Sequence, residues 1–274
     1  MKSRLMALVV CAVVAGCDSK PASPAPGPGP TTTPPVGDGK KEPAKTDSKN
    51  DPAAAPDQEI AISGKVSFDG TPPKRGKVQG IDSDPLCAAQ YTEEKPLYKD
   101  ELIVGADGAI CDVLVWVKSG LEGRRYPAPN ESMRVTQKGC HYHPHVFGIV
   151  AGQSILVVND DGTTHNVHPL PKVNGLNPEN TAQRAGQENT WTLPSPEGPF
   201  RIKCDIHPWM SCFCLVSPHP YFVVTGGDGA FELKNLPPGE YEIEAWTEKL
   251  GAQSKTVTVG GDKKKAKIDF TFKK

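Results

Sequence analysis

From Ile60 onward the chain alternates apolar and polar residues in short runs, the period of two expected of strands with one buried face. Ile60-Ala61-Ile62-Ser63-Gly64-Lys65-Val66-Ser67-Phe68 runs into Asp69-Gly70, which predicts a strand and then a hairpin turn. Leu102-Ile103-Val104 meets Asp107-Gly108, and the apolar run Val113-Leu114-Val115-Trp116-Val117 predicts a buried strand. Alternation returns at 221–233 and again at 235–245. No stretch carries a long helical period. The expected class is therefore all-β, with more than one sandwich.

The first residues have a different texture. Residues 1–16 join a basic start (Lys2, Arg4) to an apolar run from Leu5 to Val14, which reads as a bacterial export signal too short to span a membrane as a mature helix. Val14-Ala15-Gly16-Cys17 resembles a lipobox, so cleavage before Cys17 would leave that residue to carry lipid and anchor the protein. The stretch that follows, to residue 57, is rich in Pro, Ala, Gly, Thr and Lys and poor in large apolar side chains. It cannot bury enough surface to fold and reads as a disordered tether. The expected location is the bacterial cell envelope, facing the periplasm or the exterior.

Charge excludes one class of partner. With 31 basic against 32 acidic residues, no strong field favours nucleic acid. Chemistry concentrates elsewhere, in Cys204-Asp205-Ile206-His207-Pro208-Trp209-Met210 together with the upstream His165-Asn166-Val167-His168. A thiolate, an imidazole and a thioether in one short stretch, completed by a distant imidazole, make the ligand set of a mononuclear blue-copper site. Sulfur ligands suit monovalent copper and imidazole serves both oxidation states, so such a site lets the metal cycle with little ligand movement. One tight loop between two strands would deliver Cys204, His207 and Met210, with Pro208 restricting its conformation. His165 must come from a different strand, and Asn166 beside it is placed for hydrogen bonds that steady the cysteine sulfur.

Cys-x-x-His-Pro-aromatic-Met after His-Asn-Val-His resembles amicyanin, a short-loop group within the plastocyanin-like cupredoxins. The likeness extends back through Tyr142-His143-Pro144 and Gly152-Gln153-Ser154-Ile155-Leu156-Val157-Val158-Asn159, covering roughly residues 135 to 217. It implies a Greek-key sandwich over 131–217 and a single type 1 copper held by His165, Cys204, His207 and Met210, with His168 not a ligand. The strands it implies are 146–150, 154–159, 190–193, 200–204 and 212–217, with 162–189, carrying His165, a long irregular loop. Residues 218–274, through Asn235-Leu236-Pro237-Pro238-Gly239-Glu240-Tyr241, resemble the small transthyretin-like module called carboxypeptidase regulatory-like, and also the non-catalytic sandwich of rhamnogalacturonan lyases. That likeness implies a fold and no lyase chemistry. Gly64-Lys65-Val66 through Asp69-Gly70-Thr71-Pro72-Pro73 resembles the opening of the same module, so 58–130 reads as an N-terminal β segment, with the cupredoxin inserted in a split sandwich.

Of eight cysteines, Cys11 leaves with the signal, Cys17 takes lipid and Cys204 takes copper. Cys87, Cys111, Cys140, Cys212 and Cys214 remain, an odd set in an oxidising compartment. Cys87 with Cys140, and Cys111 with Cys212 or Cys214, are conceivable pairs. Cys140, His141, His143 and His145 would offer a second metal site, against the simpler account of polar imidazoles on a surface segment at a strand entry.

The functional expectation is an envelope-anchored blue-copper protein carrying single electrons between partners such as a c-type cytochrome, through an exposed edge of His207 flanked by Pro208 and Trp209. Four other readings stand beside it. A closed zinc site from His165, His168, Cys204 and His207 makes Met210 and Asn166 coincidental. A binuclear purple centre needs a second bridging cysteine where Phe200 or Pro208 stands. A non-redox glycan- or protein-binding lipoprotein would use the sandwich only as a scaffold. Copper storage or delivery would use the same ligands. An enzyme is not expected, because the protein's own ligands fill the one site and no nucleophile with an adjacent base stands out.

Overall fold

The computed structural model describes residues 60–175 and 179–274. The expected export signal, the lipid-bearing Cys17 and the tether lie outside the described residues. The described chain is all-β, and its helices are only the short Ile81–Ser83 and Pro85–Ala88.

Two sandwiches account for the described strands apart from the two-stranded hairpin of Ile103–Val104 with Ile110–Cys111. In the first, one sheet orders Thr181–Gln183, His165–Pro169, Glu197–Lys203, Ser211–Ser217 and Val146–Val150. The other orders Glu188–Thr192, Ser154–Asn159, Met133–Gln137 and Tyr142–His143. Val135, Ile155 and Val157 from one sheet meet Ile149, Phe200 and Ile202 from the other in a common core. Alternation produces this directly: in Ser211–Ser217, Cys212 and Cys214 are fully buried on the core side.

The second sandwich is assembled from both ends of the described chain. Ala61–Phe68 pairs antiparallel with Ala230–Lys234 and parallel with Lys265–Lys267 and Phe270–Phe272. The facing sheet orders Phe222–Val224, Leu114–Ser119, Gly239–Thr247 and Gly251–Val259. Ile60, Ile62 and Val115 from before residue 131 share one core with Phe231, Ile243 and Phe270 from after residue 217. Gly64 is required where the C-terminal strand crosses, because a Cβ there would lie 1.6 Å from the Ile268 carbonyl oxygen. The two sandwiches abut through Leu114, Trp116, Val146 and Leu215, packed with Phe213, Phe222 and Trp246. Gly148 leaves room for the Phe222 ring, whose nearest atom would be 2.6 Å from an added Cβ.

Two local expectations are corrected. Asp69-Gly70 closes no hairpin: Thr71-Pro72-Pro73 follows, prolines cannot donate to a ladder, and Ala61–Phe68 takes its partners from far along the chain. Residues 162–189 are not one irregular loop. They contain His165–Pro169 and Thr181–Gln183, which pair with each other, and the start of Glu188–Thr192. The polar composition of this stretch conceals strand residues whose side chains are buried and hydrogen-bonded.

The segment between Gly70 and Leu102 leaves the second sandwich and lies against the first. Arg75 pairs with Asp100, whose other carboxylate oxygen is 2.9 Å from His141 Nε2. Tyr91 donates to the Gly139 carbonyl at 2.6 Å. A disulfide joins Cys87 to Cys140, as one of the expected pairings has it. The other does not form, since Cys212 and Cys214 remain buried thiols.

Candidate metal centre

Cys204 opens the loop between Glu197–Lys203 and Ser211–Ser217, whose ends are in register at Lys203 and Ser211. The Cys204 N–H donates to the Met210 carbonyl at 3.1 Å and the Met210 N–H to the His207 carbonyl at 2.9 Å, so the loop is closed by its own backbone. The His207 N–H points back at Cys204 Sγ, 3.3 Å away. Pro208 is exposed at the turn, where no partner is needed for a missing N–H.

His165 begins the strand paired with Thr181–Gln183. Its neighbour Asn166 ties that strand to the loop. The Asn166 N–H donates to Cys204 Sγ at 3.4 Å, and Asn166 Oδ1 accepts from the Asp205 and Ile206 N–H groups at 2.5 and 3.4 Å. Asp205 in turn accepts from His168 at 2.7 Å, Lys203 at 2.7 Å and Asn180 at 2.8 Å. The Lys203 ammonium is the chief cause holding its carboxyl well below the usual range. His168 thus serves Asp205, outside the donor cluster.

These elements bring His165, Cys204 and His207 together, with one donor atom of each within 4.8 Å of the others. The His165 and His207 Nδ1 atoms are 2.8 Å apart, and Cys204 Sγ lies 3.8 Å from His207 Nδ1. All three residues are at most 1% exposed, and Met210, fully buried, belongs to the same core cluster as Cys204.

The far nitrogen of each imidazole faces a carboxylate. His165 Nε2 is 2.9 Å from Asp161, and His207 Nε2 is 3.0 Å from Asp84. A carboxylate at Nε2 places the ring proton there and leaves Nδ1 as a lone pair. Two bare lone pairs at 2.8 Å repel, so the arrangement calls for a cation or a shared proton between them. The donor set fits copper: two imidazoles, a thiolate and a buried thioether.

Burial alone would raise the Cys204 thiol, but His165 and the N–H groups of Asn166, His207 and Ile206 outweigh it and bring it below its ordinary value. That favours the thiolate a metal requires. Burial lowers His207 and neighbouring His165 adds to this, against the opposing pull of Asp84. His165 is raised in spite of burial, by Asp161 and Cys204. Burial opposes ionisation of Asp84, yet Thr163, His207 and the N–H groups of Cys87 and Leu86 lower it to about 2.

The exposed His207 edge expected from the sequence is not observed. Asp84, the Pro85–Ala88 turn and the Cys87 sulfur, 3.8 Å from His207 Nε2, cover it. The neighbours that remain at the surface are Ile206, 48% exposed, and Pro208. Trp209 lies against the His207 ring at a centroid distance of 5.1 Å and donates to the Cys140 carbonyl.

No match to any family model was found, and none to a curated protein. Solved structures do resemble parts of the chain. They include a purple cupredoxin from Nitrosopumilus maritimus (22% identity, 31% of this chain and all of that one, TM-score 0.27) and a reduced amicyanin variant (20% identity, 32% and 85%, TM-score 0.28). A copper-containing nitrite reductase from Thermus scotoductus SA-01 matches at 22% identity and TM-score 0.27 over 31% of this chain, which spans 22% of the reductase.

The proposed second site around Cys140 does not assemble. Cys140 is oxidised, His141 pairs with Asp100, His145 with Glu248 at 2.8 Å, and His143 with the Lys138 carbonyl. Among the described residues no group of three donors gathers on these imidazoles. Nor do all of them lie on a surface, since only His143 is exposed and His141 is buried. Sequence reasoning missed Asp84 and Asp161. A local signal existed for each: Asp84 before Pro85 is a helix N-cap pattern, and Asp161 stands four residues before His165.

Proposed function

We propose that this is a copper electron-transfer protein in which His165, Cys204, His207 and Met210 hold one type 1 copper ion. The observation that carries the reading is the convergence of two imidazole Nδ1 atoms and the Cys204 sulfur in a buried site, each imidazole held from behind by a carboxylate. Bound copper would supply a one-electron couple. The chain's part is to keep four donors in place, exclude water, and stabilise the thiolate with the N–H groups of Asn166 and His207. No substrate position is needed, in keeping with a carrier and not an enzyme. The remaining features of the proposal are export, a lipid on Cys17, a periplasmic partner of the c-type cytochrome kind, and a flanking transthyretin-like module built from both ends of the described chain.

A purple binuclear centre has no second free thiol beside the site among the described residues: Cys87, whose sulfur lies 3.8 Å from His207 Nε2, is bonded to Cys140, and Cys212 and Cys214 lie in the core with thiols pushed up by burial. Copper storage draws support from one observation, the covering of His207, which restricts contact with partners. The deciding experiment is the optical and electron paramagnetic resonance spectrum of the protein loaded with divalent copper. An intense blue thiolate band with narrow hyperfine splitting is expected. Colourless protein that binds zinc alone overturns the reading, and a blue protein that exchanges no electrons with a cytochrome turns it to storage.

A further inference from the structure

The residues that cover His207 come from outside the sandwich that carries the donor loop. Asp84 lies between the strand Ala61–Phe68 and the strand Leu114–Ser119, both of the second sandwich. One of its carboxylate oxygens accepts the Leu86 and Cys87 N–H groups at 2.8 and 3.2 Å, capping the Pro85–Ala88 turn. The other accepts the Thr163 hydroxyl at 2.8 Å and faces His207 Nε2 at 3.0 Å. One carboxylate therefore organises its own segment with one oxygen and the candidate ligand with the other. The segment is fastened on three further sides, by Cys87–Cys140, by Tyr91 to Gly139, and by Gln90 to Asp161.

Resting on the copper reading above, we propose that Asp84 is a positioning residue for the metal. It locks the His207 tautomer and ring plane, strengthens that imidazole as a donor, and seals the edge that would otherwise meet solvent or a partner. The physical basis is general: a carboxylate accepting the remote N–H of a ligating histidine fixes the free lone pair at the other nitrogen and raises ligand basicity. A more basic imidazole favours the divalent ion over the monovalent one. An anchored carboxylate does this with little freedom to relax, and the half-buried Asp84 is held by four hydrogen bonds. The consequence for function is that electron exchange at His207 passes through a covered site, and that the second sandwich sets a property of the metal through the segment it extends.

The test compares wild type, Asp84→Ala and Asp84→Asn, each loaded with copper, by divalent-copper affinity, reduction potential and the rate of oxidation by hexacyanoferrate. In Asp84→Ala the divalent ion is expected to bind about 10–100-fold more weakly, with a potential above wild type and, once corrected for the smaller driving force that this leaves, faster reaction with the small oxidant. Asp84→Asn retains an acceptor oxygen and the cap, so affinity should recover to within a few fold while the potential stays raised, because the charge is gone. A purely structural role would leave the potential of the refolded, blue Asp84→Asn protein at the wild-type value, and that result overturns the proposal. Colourless wild-type protein overturns the copper reading with it, whereas blue wild type with unmoved variants overturns the role of Asp84 alone.

Discussion

The two sandwiches obey the same alternation and differ in what they enclose. The one built from both ends of the described chain encloses an apolar core of residues such as Ile62, Val115, Ile243 and Phe270. The other begins as an apolar core at Ile155 and Phe200 and passes, at one end, into His165, Cys204, His207 and Asp161, all nearly free of solvent. Buried polar groups of this kind cost free energy unless each has a partner. Here each does, and the partners are drawn from the loop, the neighbouring strand and the segment around Asp84. An apolar core tolerates rearrangement of shape, whereas a polar cluster specifies one geometry, which is what a metal needs.

Cys204→Ser should break the comparison most completely. The blue band is expected to vanish while thermal unfolding of the metal-free protein shifts little, because serine keeps a polar atom of similar size at the site. Retention of the band would show that another sulfur holds the metal. Next in size is the covalent link between the regions. Replacing Cys87 and Cys140 by serine opens a cross-link over 53 residues, with an expected loss of about 4 kcal/mol from chain entropy. Denaturant unfolding measures this, and an unchanged midpoint would mean that the Tyr91 and Asp84 contacts hold the segment unaided.

Ile243→Ala tests the apolar side. A fully buried isoleucine truncated in a packed core should cost roughly 2–5 kcal/mol with no change in the copper spectrum. A spectral change would reveal strain passing across the Trp116–Leu215 contact. The smallest effect is sought at the junction, where His145 meets Glu248 at 2.8 Å. Burial lowers His145, but Glu248 and the charges of Asp100, Asp112 and Glu248 together raise it above its ordinary value. A base whose folded pKa is raised adds stability that is complete below its unfolded pKa and is lost as pH rises through the folded one. Asp112, pushed up to about 6 by burial, also loses stability as pH rises, over the interval from its ordinary value to about 6. As pH rises above about 6.5, the melting temperature of metal-free wild type should therefore fall further than that of His145→Gln. Parallel curves would remove His145 from the account.

Much of this molecule is local and so could be read along the chain. The donor loop needs only Cys204, His207 and Met210 at fixed spacing between two strands, and its closing hydrogen bonds join residues a few positions apart. The class followed from alternation, as in Ala230–Lys234 and Gly239–Thr247, because a period of two has one structural meaning when one face is buried. Even the pairing of Cys87 with Cys140 was among the open alternatives. Composition misled where polar strand residues are buried, as at His165–Pro169, whose His165 and Asn166 side chains meet His207 and Asp205 from about forty residues on.

What only the tertiary structure decided is the cover. The hydrogen bond between Asp84 and His207 spans 123 residues, and the pairing of Ala61–Phe68 with Phe270–Phe272 joins the two ends of the described chain. Contacts of that range depend on the entropy and packing of everything between them, so sequence spacing carries no signal for them. The candidate donors His165, Cys204, His207 and Met210 were thus legible in the sequence. Whether the histidine edge of the centre meets water or a carboxylate was determined by how the rest of the chain folds over it.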